Sequence, residues 1–273
     1  MVKITITCKG KILAMVDEKK RSVKLTSRDI ERISDIEGLD QLKMLQELEL
    51  SNNQITRIEN LEGLVNLEAL FLDSNQITRI ESLDKLVNLQ RLALSNNQIT
   101  RIENLDQLVN LRVLFLAYNQ IPRIENLDRL VNMQHLYLNG NQIARIENLD
   151  SLVNIQEMYL YENQIPRIEN LEGLVNLIKL DLHNNQIPRI ENLDRLVKLK
   201  ELHLQHNRIT RIENLDLLVN LRFLKVFDNQ IPRIPRLDLF DGYATARYCR
   251  EQAMNKADAE ARQRRKNQER QGR

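Results

Sequence analysis

The sequence predicts an α/β repeat solenoid: a curved parallel sheet on the concave face, short 3-10 or extended returns on the convex face, an N-terminal β-hairpin cap and a C-terminal helical cap. Three observations carry that expectation. Asparagine recurs every 22 residues at Asn53, Asn75, Asn97, Asn119, Asn141, Asn163, Asn185, Asn207 and Asn229, and a fixed period of that length marks a stacked array. Around each asparagine the aliphatic residues keep one phase, as in Leu67, Leu70, Leu72, Ile77, Ile80, Leu83 and Leu86. Both ends depart from the pattern, as solenoid ends must where a last turn would otherwise expose core and an unpaired strand edge.

Residues 1–22 read as the N-terminal cap. From Met1 to Gly10 apolar and polar residues alternate, the period of a strand and not the unbroken apolar run of a signal peptide. Residues 2–8 and 11–16 then form a hairpin turned at Lys9-Gly10. Residues 23–240 read as the solenoid. Its irregular first turn opens at Val23-Lys24-Leu25 and runs through Ile30, Ile33, Ile36, Leu39 and Leu42. In each later unit a Leu-x-Leu segment such as Leu70-Phe71-Leu72 is a short strand with its leucines inward, and the triplet spacing that follows turns the chain back. One turn cannot bury its own leucines; stacking makes a continuous core, each buried Leu or Ile contributing roughly 1.5–3 kcal/mol before chain entropy is set against it. Pro122, Pro166, Pro188 and Pro232 share a slot with Thr56, Thr78, Thr100, Ala144 and Thr210, which places that slot on the convex return where no ladder donor is needed. Ile234-Pro235 ends the repeat. Residues 241–273 read as a capping helix with a basic tail, the helix running from Tyr243 to about Arg262 with Ala246, Cys249, Ala253, Ala257 and Ala261 on one face.

The template L-x-x-L-x-L-x-x-N-x-I-x-x-I-x-x-L-x-x-L resembles the 22-residue class of leucine-rich repeats over residues 23 to 240. Within that class the phrase Ile58-Glu59-Asn60-Leu61, repeated as Ile102-Glu103-Asn104-Leu105, resembles the leucine-rich regulatory subunit of type-one protein phosphatase; the repeat architecture also resembles internalins. The first resemblance implies an intracellular protein that binds a phosphatase through its concave face. Internalins are secreted and begin with a signal peptide and a helical cap, so the intracellular comparison fits this sequence better. The asparagine column reads as structural, its amides satisfying backbone groups at a bend in every turn. A column of arginines (Arg57, Arg79, Arg101 and onward) lies beside one of glutamates (Glu59, Glu81, Glu103), which cancels most of its field and points to a solvated ion-pair network.

Composition narrows the function. A hydrophobic share of 42% and a charged share of 29%, with no long apolar run, suit a globular chain that does not span a membrane. Cys8 and Cys249 lie near opposite ends, so no disulfide is expected between them, and a reducing, cytoplasmic setting is favoured. Seven glycines without a G-x-x-x-x-G-K phosphate loop, and no nucleophile placed beside a base, argue against an enzyme, a cofactor or a small-molecule substrate. The net charge of +2 is uneven: residues 256–273 carry seven basic and three acidic groups, a tail of +4 that offers an alternative reading as a nucleic-acid or anionic-surface contact, while the body is no nucleic-acid candidate.

With the framework so uniform, the residues that differ between turns carry the information, and they concentrate at the outward strand positions. Between the paired leucines stand Phe71, Phe115, Tyr137, Tyr159, Asp181, His203 and Lys225; two residues before the ladder asparagines stand Tyr161, His183 and Phe227. Tyr118 and His206 directly precede a ladder asparagine, and His135, Glu157 and Phe223 precede the second leucine. All four histidines and eight of the eleven aromatics occupy these slots, the exceptions being Phe240, Tyr243 and Tyr248 in the C-terminal cap. A fold already rich in leucine does not need exposed aromatics for packing, so the slots predict a protein-binding patch with Tyr and Phe as anchors and charges setting register. Phe115, Tyr137 and Tyr159 should stack about 4.8 Å apart; bracing of the rings across the sheet is the competing explanation. His183, His203 and Asp181 fall within reach of one another, but without H-x-x-x-H or C-x-x-C spacing no metal is assigned, and a pH-sensitive interface is the better use of groups that titrate between about pH 5 and 8. The chain therefore reads as a non-catalytic interaction scaffold.

Overall fold

The computed structural model describes residues 3–234 and 237–271, and the side chains of 258 and 265–271 lie outside the described set, as does Pro235 at the end of the repeat. Two strands, β1 (Lys3–Cys8) and β2 (Lys11–Asp17), form the antiparallel hairpin, turned at Lys9 and Gly10 as the alternation requires. Ile4, Ile6 and Leu13 point inward and join the core. A two-residue strand, β4 (Ile36–Glu37), pairs antiparallel with β1 through Cys8 and Ile36 and makes a three-stranded sheet, a pairing that two residues inside a triplet-spaced stretch do not announce.

The second sheet is the solenoid. Its ten strands are β3 (Ser22–Lys24), β5 (Glu47–Glu49), β6 (Ala69–Phe71), β7 (Arg91–Ala93), β8 (Val113–Phe115), β9 (His135–Tyr137), β10 (Glu157–Tyr159), β11 (Lys179–Asp181), β12 (Glu201–His203) and β13 (Phe223–Lys225). All neighbours are parallel and in one register, so that Leu114, Leu136, Met158 and Leu180 sit side by side. The central residue of each strand points into the core and its two neighbours point to the opposite face of the sheet, where Ala69, Ala93 and Asp181 are nonetheless buried. In the unit from Leu67 to Leu86, all seven aliphatic template positions are fully buried. The returns are extended, with two tight turns per unit such as Leu64 N–H to Leu61 C=O (2.9 Å) and Leu67 N–H to Leu64 C=O (3.0 Å).

Two asparagine positions make the turns possible. Each ladder asparagine clips two turns together: Asn75 Nδ2 donates to Leu50 and Leu72 carbonyls at 3.1 and 3.0 Å, and its Oδ1 accepts from Ile55 N–H at 2.9 Å. The asparagine of the Ile-Glu-Asn-Leu phrase has a left-handed backbone (Asn104, φ 58°) and donates to the Ile80 carbonyl of the preceding turn at 2.7 Å. Asn126, Asn148, Asn170, Asn192 and Asn214 repeat that arrangement. A short side chain that tolerates positive φ and bonds locally is what this corner requires, so the phrase reflects the geometry of the turn. The arginine column pairs between turns: Arg57, Arg79, Arg101 and Arg123 Nε meet Glu81, Glu103, Glu125 and Glu147 of the next turn at 3.0–3.1 Å.

The C-terminal helix α1 (Gly242–Gln271) is capped by Asp241, whose Oδ1 accepts from the Tyr243 and Ala244 N–H groups. Thr245, Ala246 and Cys249 are buried against the last turn, Arg250 donates to the Leu221 carbonyl, and Lys256 Nζ reaches Asp216 at 2.5 Å. The helix extends nine residues past the Arg262 limit expected from its apolar face. Cys8 and Cys249 are both free and buried, and burial pushes the Cys249 thiol up to about 12.

Candidate functional site

The solvent side of the ten-stranded sheet presents the variable residues. Strand register places Phe115, Tyr137 and Tyr159 in one row, and their rings stack: Phe115 and Tyr137 centroids lie 4.5 Å apart, Tyr137 and Tyr159 4.6 Å apart at 7°. All three are half-buried. Lys179 Nζ closes one end of the row, 5.2 Å from the Tyr159 centroid. The Tyr159 hydroxyl donates to Glu157 at 2.8 Å, and burial together with that carboxylate raises its pKa well above the usual phenol value.

A second row runs beside the first. Tyr161 stacks on His183 at 4.3 Å, and burial raises its phenol pKa well above the usual value. Tyr118 packs over Gly140, where a Cβ would come within 2.4 Å of its ring, so the space under the ring and not the left-handed φ of +66° alone calls for glycine. Tyr118 (φ 54°) and His206 (φ 56°) both have left-handed backbones, in a slot filled by asparagine at 52, 96 and 184.

Asp181 differs from its row. It is only 6% exposed; its Oδ1 meets His183 Nδ1 at 2.6 Å and the His183 N–H at 3.2 Å, and its Oδ2 faces His203 Nδ1 at 3.4 Å. Burial alone would raise its pKa, but the two imidazoles outweigh it and hold the carboxyl well below the usual range. Its contact with a partner would be indirect, through the histidines. His203 Nε2 is buried without a hydrogen bond, 3.8 Å from Glu201 Oε2, and Gln205 Oε1 is likewise unpaired. Among the described residues no group of three His, Cys, Asp or Glu side chains has the geometry to hold a metal ion.

Sequence reasoning assigned Phe240 and Tyr243 to the cap and away from the patch. Both do lie at the cap, about two-thirds exposed, and pack against strand-row aromatics: Phe240 stacks on Phe227 at 4.9 Å, and Tyr243 meets Phe223 edge-on at 4.8 Å. His206 packs edge-on against Phe227, and Lys225 Nζ lies 5.3 Å from the Phe223 centroid. The signal was present in Phe240-Asp241-Gly242-Tyr243, where two aromatics flank a helix start and match no apolar face. Phe71 and His135 stand in their strand rows, with His135 Nδ1 3.5 Å from Glu157.

A family model for leucine-rich repeats (2 copies) matches residues 43–85, 65–107, 87–130, 109–151 and 153–195. Among solved structures, an internalin, InlF, from Listeria monocytogenes is 27% identical over 83% of this chain and 67% of its own, with a TM-score of 0.74. Internalin C2 from the same organism is 32% identical over 66% of this chain and 81% of its own, at 0.60. The TLR13 chain of a TLR13–ssRNA13 complex is 28% identical over 75% of this chain and 32% of its own, at 0.67. Among curated proteins none matches. The likeness to the phosphatase subunit rests on the Ile-Glu-Asn-Leu phrase alone. No helix among the described residues is long and apolar enough to cross a membrane.

Proposed function

The chain belongs to the leucine-rich repeat family, and from that premise we propose that it is a non-catalytic scaffold that holds a protein partner against the concave face of its sheet. The observation that carries this reading is the stacked row Phe115–Tyr137–Tyr159 on the open side of the sheet, in a molecule whose core is already saturated with leucine and isoleucine. Tyrosine edges with fixed rotamers lose little entropy on docking, which is what anchors of a protein interface need. The cap aromatics Phe240 and Tyr243 extend the surface.

Replacing Tyr137→Ala together with Tyr159→Ala tests it. Capture of a partner from lysate should be lost, while melting falls far less than for Leu136→Ala in the core; undiminished capture by the double variant counts against the reading. The basic tail supports a second one. Lys256 is committed to Asp216, but described side chains beyond it on α1 are exposed, so contact with nucleic acid or an anionic surface would show steep salt dependence that disappears on deleting residues 256–273.

A further inference from the structure

One flank of the solenoid carries a surface that the aromatic face does not use. A valine stands at every 22nd residue from Val65 to Val219, and all but the last are 39–46% exposed although the core has ample aliphatic filling. Three residues before each valine stands an exposed acid, from Glu62 ahead of Val65 to Asp216 ahead of Val219. The turns stack about 4.8 Å apart, so the flank is an apolar stripe with a row of carboxylates along it. Lys85, Arg129 and Arg195 interrupt the row, whereas Asp150 and Glu172 have only Ser151 and Gly173 beside them. Such a stripe selects a cationic partner whose side chains also offer aliphatic surface.

The molecule makes that pairing once. At the last rung Lys256 Nζ of α1 meets Asp216 at 2.5 Å, and Ala253, Met254 and Ala257 line a groove of about 330 Å³ together with Leu218 and Val219. Among the described residues Asp216 is the only acid of the row in an ion pair. Beyond Lys256 the helix leaves the core. Its described side chains from 259 to 264 are exposed, and residues 257–273 hold six basic groups against three acidic ones. A helix that is polar on every side gains stability by lying against a partner. From Ala257 to Gln271 it spans about 22 Å, roughly four rungs of the row. The stems of Arg262 and Arg264 suit the valines, and their guanidinium groups suit the carboxylates.

We propose that the valine and carboxylate flank binds the outer half of α1 from a second copy of the chain, independently of the concave face. Sedimentation equilibrium of the full chain reads the contact. At low salt the mean mass should rise above the 32.2 kDa of one chain as concentration increases, and it should return to that value at about 0.5 M sodium chloride, where charges are screened within about 4 Å. Asp150→Lys with Glu172→Lys, and separately Arg262→Glu with Arg264→Glu, should each be monomeric with melting unchanged. An equimolar mixture of the two double variants should associate again, because each keeps the half of the contact that the other lacks. Tyr137→Ala with Tyr159→Ala should associate as the unaltered chain does. The proposal is overturned by a full chain that stays monomeric at low salt, whether or not its tail retains nucleic acid. It is equally overturned if either charge-reversed variant still associates alone, if their mixture does not, or if association is lost with the tyrosines.

Discussion

Tyr118 sits in a left-handed backbone slot that asparagine fills without strain at 52, 96 and 184. A bulky residue there costs about 1–2 kcal/mol, and at 44% exposure the ring recovers only part of that by burial. Strain retained at a surface aromatic points to use of the ring. Tyr118→Asn should raise the unfolding free energy or leave it unchanged, by at most about 1 kcal/mol, while weakening partner capture; a loss of stability in urea unfolding would assign the ring to structure instead. Asn119 is the opposite case. Its amide serves the Ile99 N–H and the Leu94 and Leu116 carbonyls at 3.0–3.2 Å; the carbonyls keep bonds from Asn97 and Asn141, so Asn119→Ala strands the buried Ile99 N–H, at about 1–3 kcal/mol. It should cost at least about 1 kcal/mol. Asn229 makes the same bonds but is only partly buried at the last turn, and its alanine variant should cost less. Asp181 adds a pH dependence. Its folded pKa is depressed, so its stabilisation is present above the ordinary carboxylate value of about 3.9 and is lost as pH falls towards the folded value. Asp181→Asn should therefore destabilise the protein at pH 6, and the gap from wild type should narrow below about pH 4; a gap independent of pH would mean that the pair with His183 and His203 contributes nothing.

At the scale of elements, legibility followed how each one is stabilised. The hairpin could be read because alternation at Ile4, Ile6 and Cys8 is a direct image of one buried face. The start of α1 could be read from Ala246 and Cys249, which do touch the core. Its last turns could not, since an apolar stripe was the criterion and residues such as Gln263, Arg264 and Lys266 propagate a helix by backbone propensity without one. β4 was missed because two residues cannot display a period. The arginine and glutamate columns were legible as opposite charges, but not their partners: within a turn the two columns sit two residues apart, and only stacking brings Arg57 to Glu81 and no nearer to Glu59. In the candidate site the stacked row could be foreseen from register, whereas the burial of Asp181 depends on two histidines from different turns closing over it, which no spacing rule encodes.

The whole molecule is a chain of nearest-neighbour interfaces, so its length should be adjustable in units of 22 residues and in no other increment. Deleting residues 89–110 joins Asn88 to Leu111 with the leucine phase intact, and deleting 133–154 joins Asn132 to Ile155 in the same way. Each leaves every remaining arginine the same offset to a glutamate of the next turn. Both variants should fold, with the denaturant slope reduced by about a tenth because slope scales with the surface exposed on unfolding. Their consequences for binding differ. The first removes Ala93 and brings Phe71 beside Phe115, lengthening the aromatic row; the second removes Tyr137 and shortens it. Partner capture should survive the first deletion and weaken after the second, at equal melting temperature. Equal loss of capture in both would mean that the partner reads the arc of the solenoid and not the row of rings.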